Sequence, residues 1–219
     1  MSAAPIGVVV ADDRQMVREG FRAILDSQPD IEVVGEAGDG VEAVRLCQLL
    51  RPQVCLLDIR MPEMDGLEAT RQLQNLGDRA PGVVIVTTFD LDEYVFEAFR
   101  NGARGFITKD SGATLLLEAV RAAASGDALV SPDITLRLIQ QVTRRHRRGK
   151  PDRTLSTREL ALLRAVASGL TNEEIAASLF LSLSTVKSGI TSLLTHIGAR
   201  NRVELTIYAY EHGIVEDQL

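Results

Sequence analysis

Residues that can take part in phosphoryl transfer stand directly after short apolar runs of this 219-residue chain. They are Asp12 and Asp13 after GVVVA, Asp58 after VCLL, Thr87 after VVIV and Lys109 after GFIT. A carboxylate can attack phosphorus and form an acyl phosphate, and crowded carboxylates attract a hard cation such as Mg2+. An ammonium and a hydroxyl can bind the oxygens of the transferred group. Asp58 by itself is equally well explained as a turn residue, and the other strand ends favour the chemical role.

The apolar runs alternate with helical patterns between residues 6 and 125. The strands are predicted near 7–11, 31–36, 54–57, 83–86 and 105–108, and the helices near 14–28, 41–50, 67–76, 91–100 and 113–124. Because parallel neighbours need crossover connections, this alternation predicts a doubly wound parallel sheet of the α/β class. In the flavodoxin-like (βα)5 order 2-1-3-4-5, strands 1 and 3 are adjacent, which brings Asp12, Asp13 and Asp58 together.

These strand-end residues resemble the functional residues of the receiver domain in bacterial two-component response regulators. The resemblance covers the first 125 residues or so, and it implies that a sensor histidine kinase phosphorylates Asp58. It also implies that Mg2+ is bound directly by Asp13, Asp58 and the backbone carbonyl of Arg60, while Asp12 acts mainly through water. Lys109 would then contact a phosphate oxygen.

The same resemblance implies a switch at Thr87. Its hydroxyl would move toward the phosphate, and the space it leaves would admit the aromatic residue three positions before Lys109, which is Phe106. Many receivers have tyrosine there, and since phenylalanine has no hydroxyl, only packing can be coupled in this chain. Asp110 stands where the receiver pattern often has proline, so a cis peptide bond is not expected there.

Charge divides the chain into an acidic part and a weakly basic part. Residues 1–125 hold 12 Lys+Arg and 20 Asp+Glu, a net charge of −8, and residues 126–219 hold 12 and 10, a net charge of +2. This asymmetry suggests a regulatory half and a half that can approach a polyanion, or else simple surface variation. No apolar run of about 18 residues is present, and MSAAPIGVVV lacks the basic region of a signal peptide, so we expect a cytoplasmic protein without a membrane span.

The two cysteines, Cys47 and Cys55, have neither a CxxC arrangement nor a histidine nearby in the sequence. Cys55 lies inside an apolar strand and Cys47 inside a helical pattern. We therefore expect buried, reduced thiols and no redox or metal role.

A connector is predicted at 126–153, between a receiver domain at 1–125 and a C-terminal domain at 154–219. It has helical character near 135–142 and ends in RRHRRGKPDR, which holds several like charges and almost no apolar residue. Such a segment is typical of a mobile, solvated linker. The alternative is that DNA phosphates are bound by its arginines, which are Arg144, Arg145, Arg147 and Arg148.

The C-terminal part contains four short helical patterns with recognisable starts. Two of them begin with S/T-x-x-E, at 156–159 and 171–174, where the hydroxyl and the carboxylate satisfy free helix amides. A turn at 180–182 separates the second helix from the third, at about 184–197, and predicts a helix-turn-helix over 171–190. The string LSTRELALLRAVASGLTNEEIAASLFLSLSTVK resembles the LuxR/NarL type of DNA-binding domain, in a match of about 60 residues. A small helical protein-interaction domain is the alternative.

The resemblance implies that the third helix enters the major groove of DNA. It places Lys187 among the DNA contacts, with Ser188 and Thr191 on the same exposed face. Serine and threonine can donate or accept, so they are expected to specify bases weakly. Gly189 replaces a histidine usual in the family, which would alter the approach to DNA or weaken the helix. Phosphate contacts, or else plain surface charges, are expected near helix starts at Arg158, Arg200 and Arg202.

Together these features predict a two-domain regulator of transcription. After phosphorylation of Asp58 the receiver would dimerise and release the recognition helix, so that two helices bind two half-sites of double-stranded promoter DNA; RNA polymerase is a further candidate partner. No enzymatic activity is expected apart from self-catalysed phosphotransfer and dephosphorylation at Asp58. A haloacid-dehalogenase phosphatase would show DxDx(T/V), which VVVADDRQ lacks. A DNA-binding regulator that is never phosphorylated is the other alternative, and the intact set of strand-end residues argues against it.

Overall fold

The computed structural model describes residues 4–88, 92–130 and 155–215. The chain forms two compact units, one within 1–134 and one within 135–219. The predicted connector helix near 135–142 and the connector arginines near 144–148 lie outside the described residues. The predicted domain boundaries stay predictions.

A parallel sheet forms the centre of the first unit. Its strands are β1 (Ile6–Ala11), β2 (Ile31–Ala37), β3 (Val54–Leu57), β4 (Gly82–Thr87), β5 (Gly105–Thr108) and β6 (Leu129–Val130). Neighbours follow the order β2-β1-β3-β4-β5-β6, and every pair is parallel. The predicted flavodoxin-like order of the first five strands is confirmed. The sequence does not predict β6, because a two-residue strand is too short to form a recognisable apolar run.

Helices connect the strands within the described part of this unit. They are α1 (Gln15–Asp26), α2 (Gly40–Leu50), α3 (Gly66–Gln74), α4 (Asp92–Arg100) and α5 (Gly112–Ser125), with a 3-10 turn at Gly77–Arg79. The start of α2 and the start of α3 each lie one residue before the predicted position. The reason is local, since Asp39 and Asp65 accept hydrogen bonds from the amides of Glu42 and Glu68, both at 2.8 Å.

Both faces of the sheet are buried. In β1 the consecutive residues Val8, Val9 and Val10 are each at most 1% exposed, although successive strand residues point to opposite faces. On one face, Val8 and Val10 pack in a cluster with Leu25 of α1 and Leu116 of α5. Burial on both faces explains why β1, β3 and β4 are apolar up to their last residues, whereas the edge strand β2 exposes Glu32 and Val34. In the central strands polar chemistry is therefore confined to the strand ends.

The two cysteines of this unit, Cys47 of α2 and Cys55 of β3, are free and buried, which confirms the predicted burial of both thiols. A hydrogen bond with Cys47, together with burial, raises the pKa of the Cys55 thiol. The Cys55 thiol therefore stays protonated, and both cysteines pack as small apolar groups in the core.

Helices alone make up the described part of the second unit. They are α6 (Thr157–Ala167), α7 (Asn172–Ser178), α8 (Leu183–Ile197) and α9 (Arg202–Glu211). Both predicted capping boxes are present, at Ser156 with Glu159 and at Thr171 with Glu174. Each helix contributes to one core, whose large, fully buried side chains include Leu163, Ile175, Val186, Leu193 and Leu205.

The chain bends by 108° between α7 and α8. This angle lies in the range of a helix-turn-helix, whose two helices meet at about 90–120°. The predicted helix-turn-helix over 171–190 therefore has the expected shape. In the described ranges no single helix has the length and hydropathy to cross a membrane, and the bent pair of α7 and α8 meets those criteria only jointly, by length and composition.

Candidate functional site

Backbone hydrogen bonds bring the ends of four strands together. The amide of Asp58 donates to the carbonyl of Ala11 at 2.9 Å, which joins the end of β3 to the end of β1. The amide of Lys109 donates to the carbonyl of Thr87 at 2.9 Å, which joins the ends of β5 and β4. Since β3 and β4 are neighbours, the predicted residues stand along one edge of the sheet. This is the carboxyl edge, where open α/β sheets bind their ligands.

Three carboxylates form the acidic part of the site. Carboxylate oxygens of Asp12, Asp13 and Asp58 all lie within 4.8 Å of one another. Asp12 is fully buried and Asp58 is 5% exposed, whereas Asp13 is exposed to solvent. A group of oxygens of this kind can hold a divalent cation such as Mg2+, which prefers oxygen ligands and keeps several of its waters.

The ammonium of Lys109 lies between two of these carboxylates. It donates a hydrogen bond to Asp58 Oδ2 at 2.6 Å and forms an ion pair with Asp12 Oδ2. The contact with Asp12 lacks hydrogen-bond geometry, and Asp12 Oδ2 is buried without a hydrogen-bond partner. An anionic oxygen in this situation suits a metal ion or a water molecule bound to one. The donor set therefore fits Mg2+.

Backbone amides fix the other oxygens of the two buried carboxylates. Asp58 Oδ1 accepts a hydrogen bond from the amide of Ile59 at 2.7 Å, and Asp12 Oδ1 accepts one from the amide of Arg14 at 3.0 Å. The remaining oxygen of each carboxylate faces Lys109. A side chain held in this way loses little further freedom when it reacts.

Glycine is required where α3 begins beside Asp58. A Cβ atom at Gly66 would lie 2.1 Å from the backbone carbonyl oxygen of Asp58. The amide of Gly66 also donates to the carbonyl of Ile59 at 2.9 Å. The start of α3 therefore packs directly against the backbone that carries Asp58, and a larger residue would displace one of them.

In the second unit, the exposed face of α8 holds the predicted DNA contacts. Lys187, Ser188 and Thr191 are exposed, whereas Val186 and Ile190 are buried. Their spacing of three and four residues keeps the exposed side chains on one face. Lys187 is the only lysine or arginine of this helix, so one positive charge stands among hydroxyl groups.

Gly189 lies on the side of α8 that packs against α6. A Cβ atom there would meet Leu162 Cδ2 at 3.0 Å and no other atom within 4 Å. A side chain at this position would therefore point toward the interior of the unit. The expected effect of Gly189 on the approach to DNA or on the stability of the helix stays a prediction.

The three arginines predicted to contact phosphates differ in their surroundings. Arg158 and Arg200 are exposed, and their predicted role stays a prediction. Arg202 is half-buried, and its guanidinium donates to Asn172 Oδ1 at 3.1 Å and to the carbonyl of Leu170. It therefore ties the start of α9 to the start of α7, a structural role that the sequence does not reveal.

Comparison with known families agrees with the presence of both an acidic site at a sheet edge and a helix-turn-helix in one chain. Residues 8–121 match the response regulator receiver domain, and residues 153–209 match the bacterial regulatory proteins of the luxR family. The chain belongs to the LuxR-type response regulators. It is a DNA-binding regulator of transcription in a two-component system.

Relatives of this response regulator match nearly its whole length. The transcriptional regulatory protein LiaR of Bacillus subtilis is 37% identical over 211 residues, which cover 96% of this chain and 99% of LiaR. The oxygen regulatory protein NreC of Staphylococcus aureus (strain MRSA252) is 37% identical over 215 residues, which cover 95% and 99%. The crystal structure of the response regulator ChrA from a heme-sensing two-component system is 35% identical, covers 97% and 100%, and has a TM-score of 0.54.

The predicted switch residues of the response regulator are both buried. Thr87 ends β4 and Phe106 lies in β5, and neither is exposed to solvent. The ring of Phe106 lies 6.5 Å, between centroids, from the ring of Phe99 in α4. The aromatic side chain is thus packed beneath α4, and its displacement on phosphorylation stays a prediction.

Arg18 of α1 stabilises the backbone of the acidic site, a role that the sequence does not predict. Its Nη1 donates to the backbone carbonyl of Asp12 at 2.7 Å, and its Nε lies 3.6 Å from Glu36 Oε2. Arg22 donates from Nε to Glu36 Oε1 at 2.5 Å. Glu36 near the end of β2 thus anchors the loop after β1 through Arg18. The sequence offers only one sign of this contact, which is the acidic residue Glu36 near the end of β2, the strand beside β1.

The side chain of Arg60 reaches α4. Its Nη2 donates to the Tyr94 hydroxyl at 2.7 Å, and its guanidinium carbon lies 5.6 Å from the centroid of the Tyr94 ring. The predicted role of Arg60 concerns only its backbone carbonyl and stays a prediction. The contact joins the loop after Asp58 to α4, and no local pattern points to it because 34 residues separate the partners.

Proposed function

We propose that phosphoryl transfer from a sensor histidine kinase to Asp58 controls the binding of this response regulator to promoter DNA. The observation that carries the proposal is the environment of Asp58. Its Oδ2 accepts a 2.6 Å hydrogen bond from Lys109, and its carboxylate lies within 4.8 Å of those of Asp12 and Asp13. A nucleophile, a cation for phosphate oxygens and a candidate metal site therefore share one edge of the sheet.

In the transfer step a carboxylate oxygen of Asp58 attacks the phosphorus of a phosphohistidine. A new O–P bond forms as the N–P bond breaks, and the imidazole leaves with the bonding electron pair. Lys109 moves its hydrogen bond from the carboxylate to a phosphate oxygen. Asp13, Asp58 and the carbonyl of Arg60 would hold Mg2+, which supplies neutralisation of the charge on the transferring group. Asp12 would support the same ion mainly through water.

Hydrolysis of the acyl phosphate is the only other reaction that we assign to the chain. Water attacks the phosphorus of the acyl phosphate, the O–P bond to Asp58 breaks, and the carboxylate and inorganic phosphate are released. Because the groups that favour transfer also surround the acyl phosphate, this hydrolysis is self-catalysed. The signal is therefore transient, and the regulator has no separate substrate.

The phosphate is sensed through Thr87 and Phe106. The Thr87 hydroxyl turns toward the phosphate, and Phe106 moves into the space that it leaves. A bound group can shift an equilibrium only through a difference in its interactions with the two states, and the Thr87 hydroxyl supplies that difference here. The shifted state of the receiver dimerises and releases the recognition helix of the second unit, predicted at about 184–197.

The released helix, α8, reads the major groove of promoter DNA. The exposed Lys187 supplies a positive charge, and the hydroxyls of Ser188 and Thr191 face the bases. A dimer brings two such helices to two half-sites, since one helix reads only a few base pairs. Bound at a promoter, the dimer has RNA polymerase as a further partner.

Genome-wide DNA binding by the wild type and by Asp58→Asn tests the proposal. We expect the wild type to occupy promoters when the kinase is active, and Asp58→Asn to occupy the same promoters weakly under either condition. Asp30→Asn is the matched control, because Asp30 is an exposed carboxylate before β2 that pairs with Arg121 at the opposite edge of the sheet. Equal, signal-dependent occupancy by Asp58→Asn would contradict the proposal.

A further inference from the structure

Hydroxyl groups on the exposed face of α8 are hydrogen-bonded to their own helix. Ser188 Oγ donates to the carbonyl of Thr185 at 3.1 Å, and Thr191 Oγ1 donates to the carbonyl of Lys187 at 3.0 Å. Thr195 Oγ1 donates to the carbonyl of Thr191 at 3.1 Å. Each hydroxyl has one hydrogen, and in all three it is already used inside the helix.

A hydroxyl in this state presents only acceptor capacity to a ligand. Two lone pairs remain on the oxygen after its hydrogen is donated. To donate to DNA, the hydroxyl would have to rotate and abandon its helix carbonyl, so one hydrogen bond would be lost for each one gained. Serine and threonine can in general bind either donors or acceptors on the bases. In this state their hydroxyls favour groups of the DNA that donate a hydrogen bond.

Ser188 and Thr191 stand where a recognition helix contacts bases. They are the sixth and ninth of the 15 residues of α8, and both are exposed. The N-terminal part of a recognition helix reaches base edges, whereas its C-terminal end leaves the groove. Thr195 lies one turn beyond Thr191, toward that end, and carries the same internal hydrogen bond. It provides a natural comparison within one helix.

We propose that Ser188 and Thr191 act as hydrogen-bond acceptors that select adenine or cytosine in the major groove. The proposal rests on the proposed entry of α8 into that groove. Adenine N6 and cytosine N4 are the only amino donors displayed there, while guanine and thymine oppose an acceptor with O6, N7 or O4. The two hydroxyls thus favour a base with an exocyclic amino group and disfavour a base that presents an acceptor at the same position in the major groove.

Lys187 has the opposite chemistry. Its ammonium has three donors and no acceptor, and no other lysine or arginine occurs in α8. The helix therefore combines one donating group with two accepting groups on a single face. A base with an amino group fits beside Ser188 or Thr191, whereas a guanine or a phosphate fits beside Lys187. The base preference of α8 then comes from this combination of one donor and two acceptors, without a bidentate arginine contact from this helix.

The test begins with a random pool of double-stranded DNA. The full-length protein, treated with beryllofluoride as a mimic of the acyl phosphate, selects its preferred duplexes. In the selected duplex each adenine is replaced singly by purine, which lacks the N6 amino group, and each cytosine by pyrimidin-2-one, which lacks the N4 amino group. We expect the wild type to lose about threefold to tenfold in affinity at two positions of each half-site.

Variants assign these positions to the two side chains. Thr191→Val keeps the branched shape and removes the hydroxyl, and Ser188→Ala removes the other hydroxyl. Each variant is expected to become insensitive to the missing amino group at one position and to keep the sensitivity at the other. Thr195→Val makes the same chemical change as Thr191→Val and is expected to keep both. Comparing proteins on the same pair of duplexes cancels the effect of the analogue on base pairing.

The outcomes separate this inference from the proposed function. If Thr191→Val and Ser188→Ala both keep every sensitivity of the wild type, the hydroxyls are not the readers and the inference is overturned, while DNA recognition by the protein stands. If the wild type selects no sequence from the pool, the proposed function fails and this inference fails with it. Urea unfolding of each variant checks that it is folded, and two separate positions keep the test decisive if one variant is not.

Discussion

Lys109 and Asp58 form a hydrogen-bonded ion pair, 2.6 Å between Nζ and Oδ2, that joins the ends of two strands 51 residues apart. The lysine side chain is 9% exposed and that of Asp58 6%, so both charges are largely removed from water. The same ammonium also contacts Asp12. One internal cation therefore lies within an acidic site whose oxygens fit a second one.

Replacing Lys109 with methionine removes this cation and keeps most of the length of the side chain. Loss of one partner of a buried ion pair costs about 3–5 kcal/mol, because the remaining charge is uncompensated. We expect that loss in urea unfolding without metal, and we expect Mg2+ to restore more stability in the variant than in the wild type. Arg121→Met is the control, since its pair with Asp30 is exposed and contributes little to stability. Equal losses in the two variants would show that the buried pair has no special role.

Gly66→Ala should disturb the site through the backbone. The new Cβ atom would lie 2.1 Å from the Asp58 carbonyl oxygen, which cannot rotate away. We expect a loss of about 1–3 kcal/mol in the free energy of unfolding and weaker Mg2+ binding, since Asp58 must move. Gly20→Ala is the control, because nothing lies within 4 Å of its Cβ and alanine stabilises a helix by about 0.5–1 kcal/mol. Titration with Mg2+ and urea measures both effects, and unchanged Mg2+ affinity in Gly66→Ala would contradict the packing argument.

Glu159 gives the helical unit a dependence on acid pH. Hydrogen bonds from Ser156, followed by the contact with His196 at 2.5 Å, lower the pKa of Glu159 from its ordinary value of 4.5 to about 2. Because the folded state binds this proton less tightly than the unfolded state, the contribution is complete above pH 4.5 and disappears as the pH falls toward 2. The stability difference between the wild type and Glu159→Gln should therefore shrink over that interval, as followed by NMR signals of α6 during urea unfolding. A difference that does not change with pH would refute this assignment.

Lys187→Ala should weaken DNA binding by the full-length protein and reduce its salt dependence. If the lysine contacts a phosphate, the slope of log affinity against log salt falls by about one unit, because one fewer counterion is released. Fluorescence anisotropy of a labelled selected duplex against salt measures the slope. Arg164→Ala removes the same charge from α6, where the arginine bonds to the carbonyl of Ile214, and should leave the slope unchanged. An unchanged slope for Lys187→Ala would remove this residue from the phosphate contacts.

The acidic site follows from the sequence because its residues mark the ends of buried strands. Asp12, Asp58 and Lys109 each interrupt an apolar run, and a parallel sheet gathers such ends at one edge. The starts of α6 and α7 are equally readable, since each capping box is completed within four residues. These features depend on local sequence or on a single topological rule.

Contacts between elements that are distant in the chain could not be predicted from the sequence in the same way. The pairing of Arg18 with Glu36 and that of Arg60 with Tyr94 depend on how a helix packs beside a loop or strand. The direction of Gly189 toward Leu162 likewise depends on the packing of α8 on α6. In each case the residue types fit many partners, and only the three-dimensional arrangement selects one.

The most direct measurement of the central claim is the phosphorylation of Asp58 itself. The wild type, Asp58→Asn and the control Asp30→Asn are incubated with Mg2+ and a small phosphodonor such as acetyl phosphate, and their intact masses are recorded. We expect the wild type and Asp30→Asn to gain one acid-labile and base-labile phosphate, and we expect none in Asp58→Asn or after chelation of the metal. Undiminished phosphorylation of Asp58→Asn would contradict the claim.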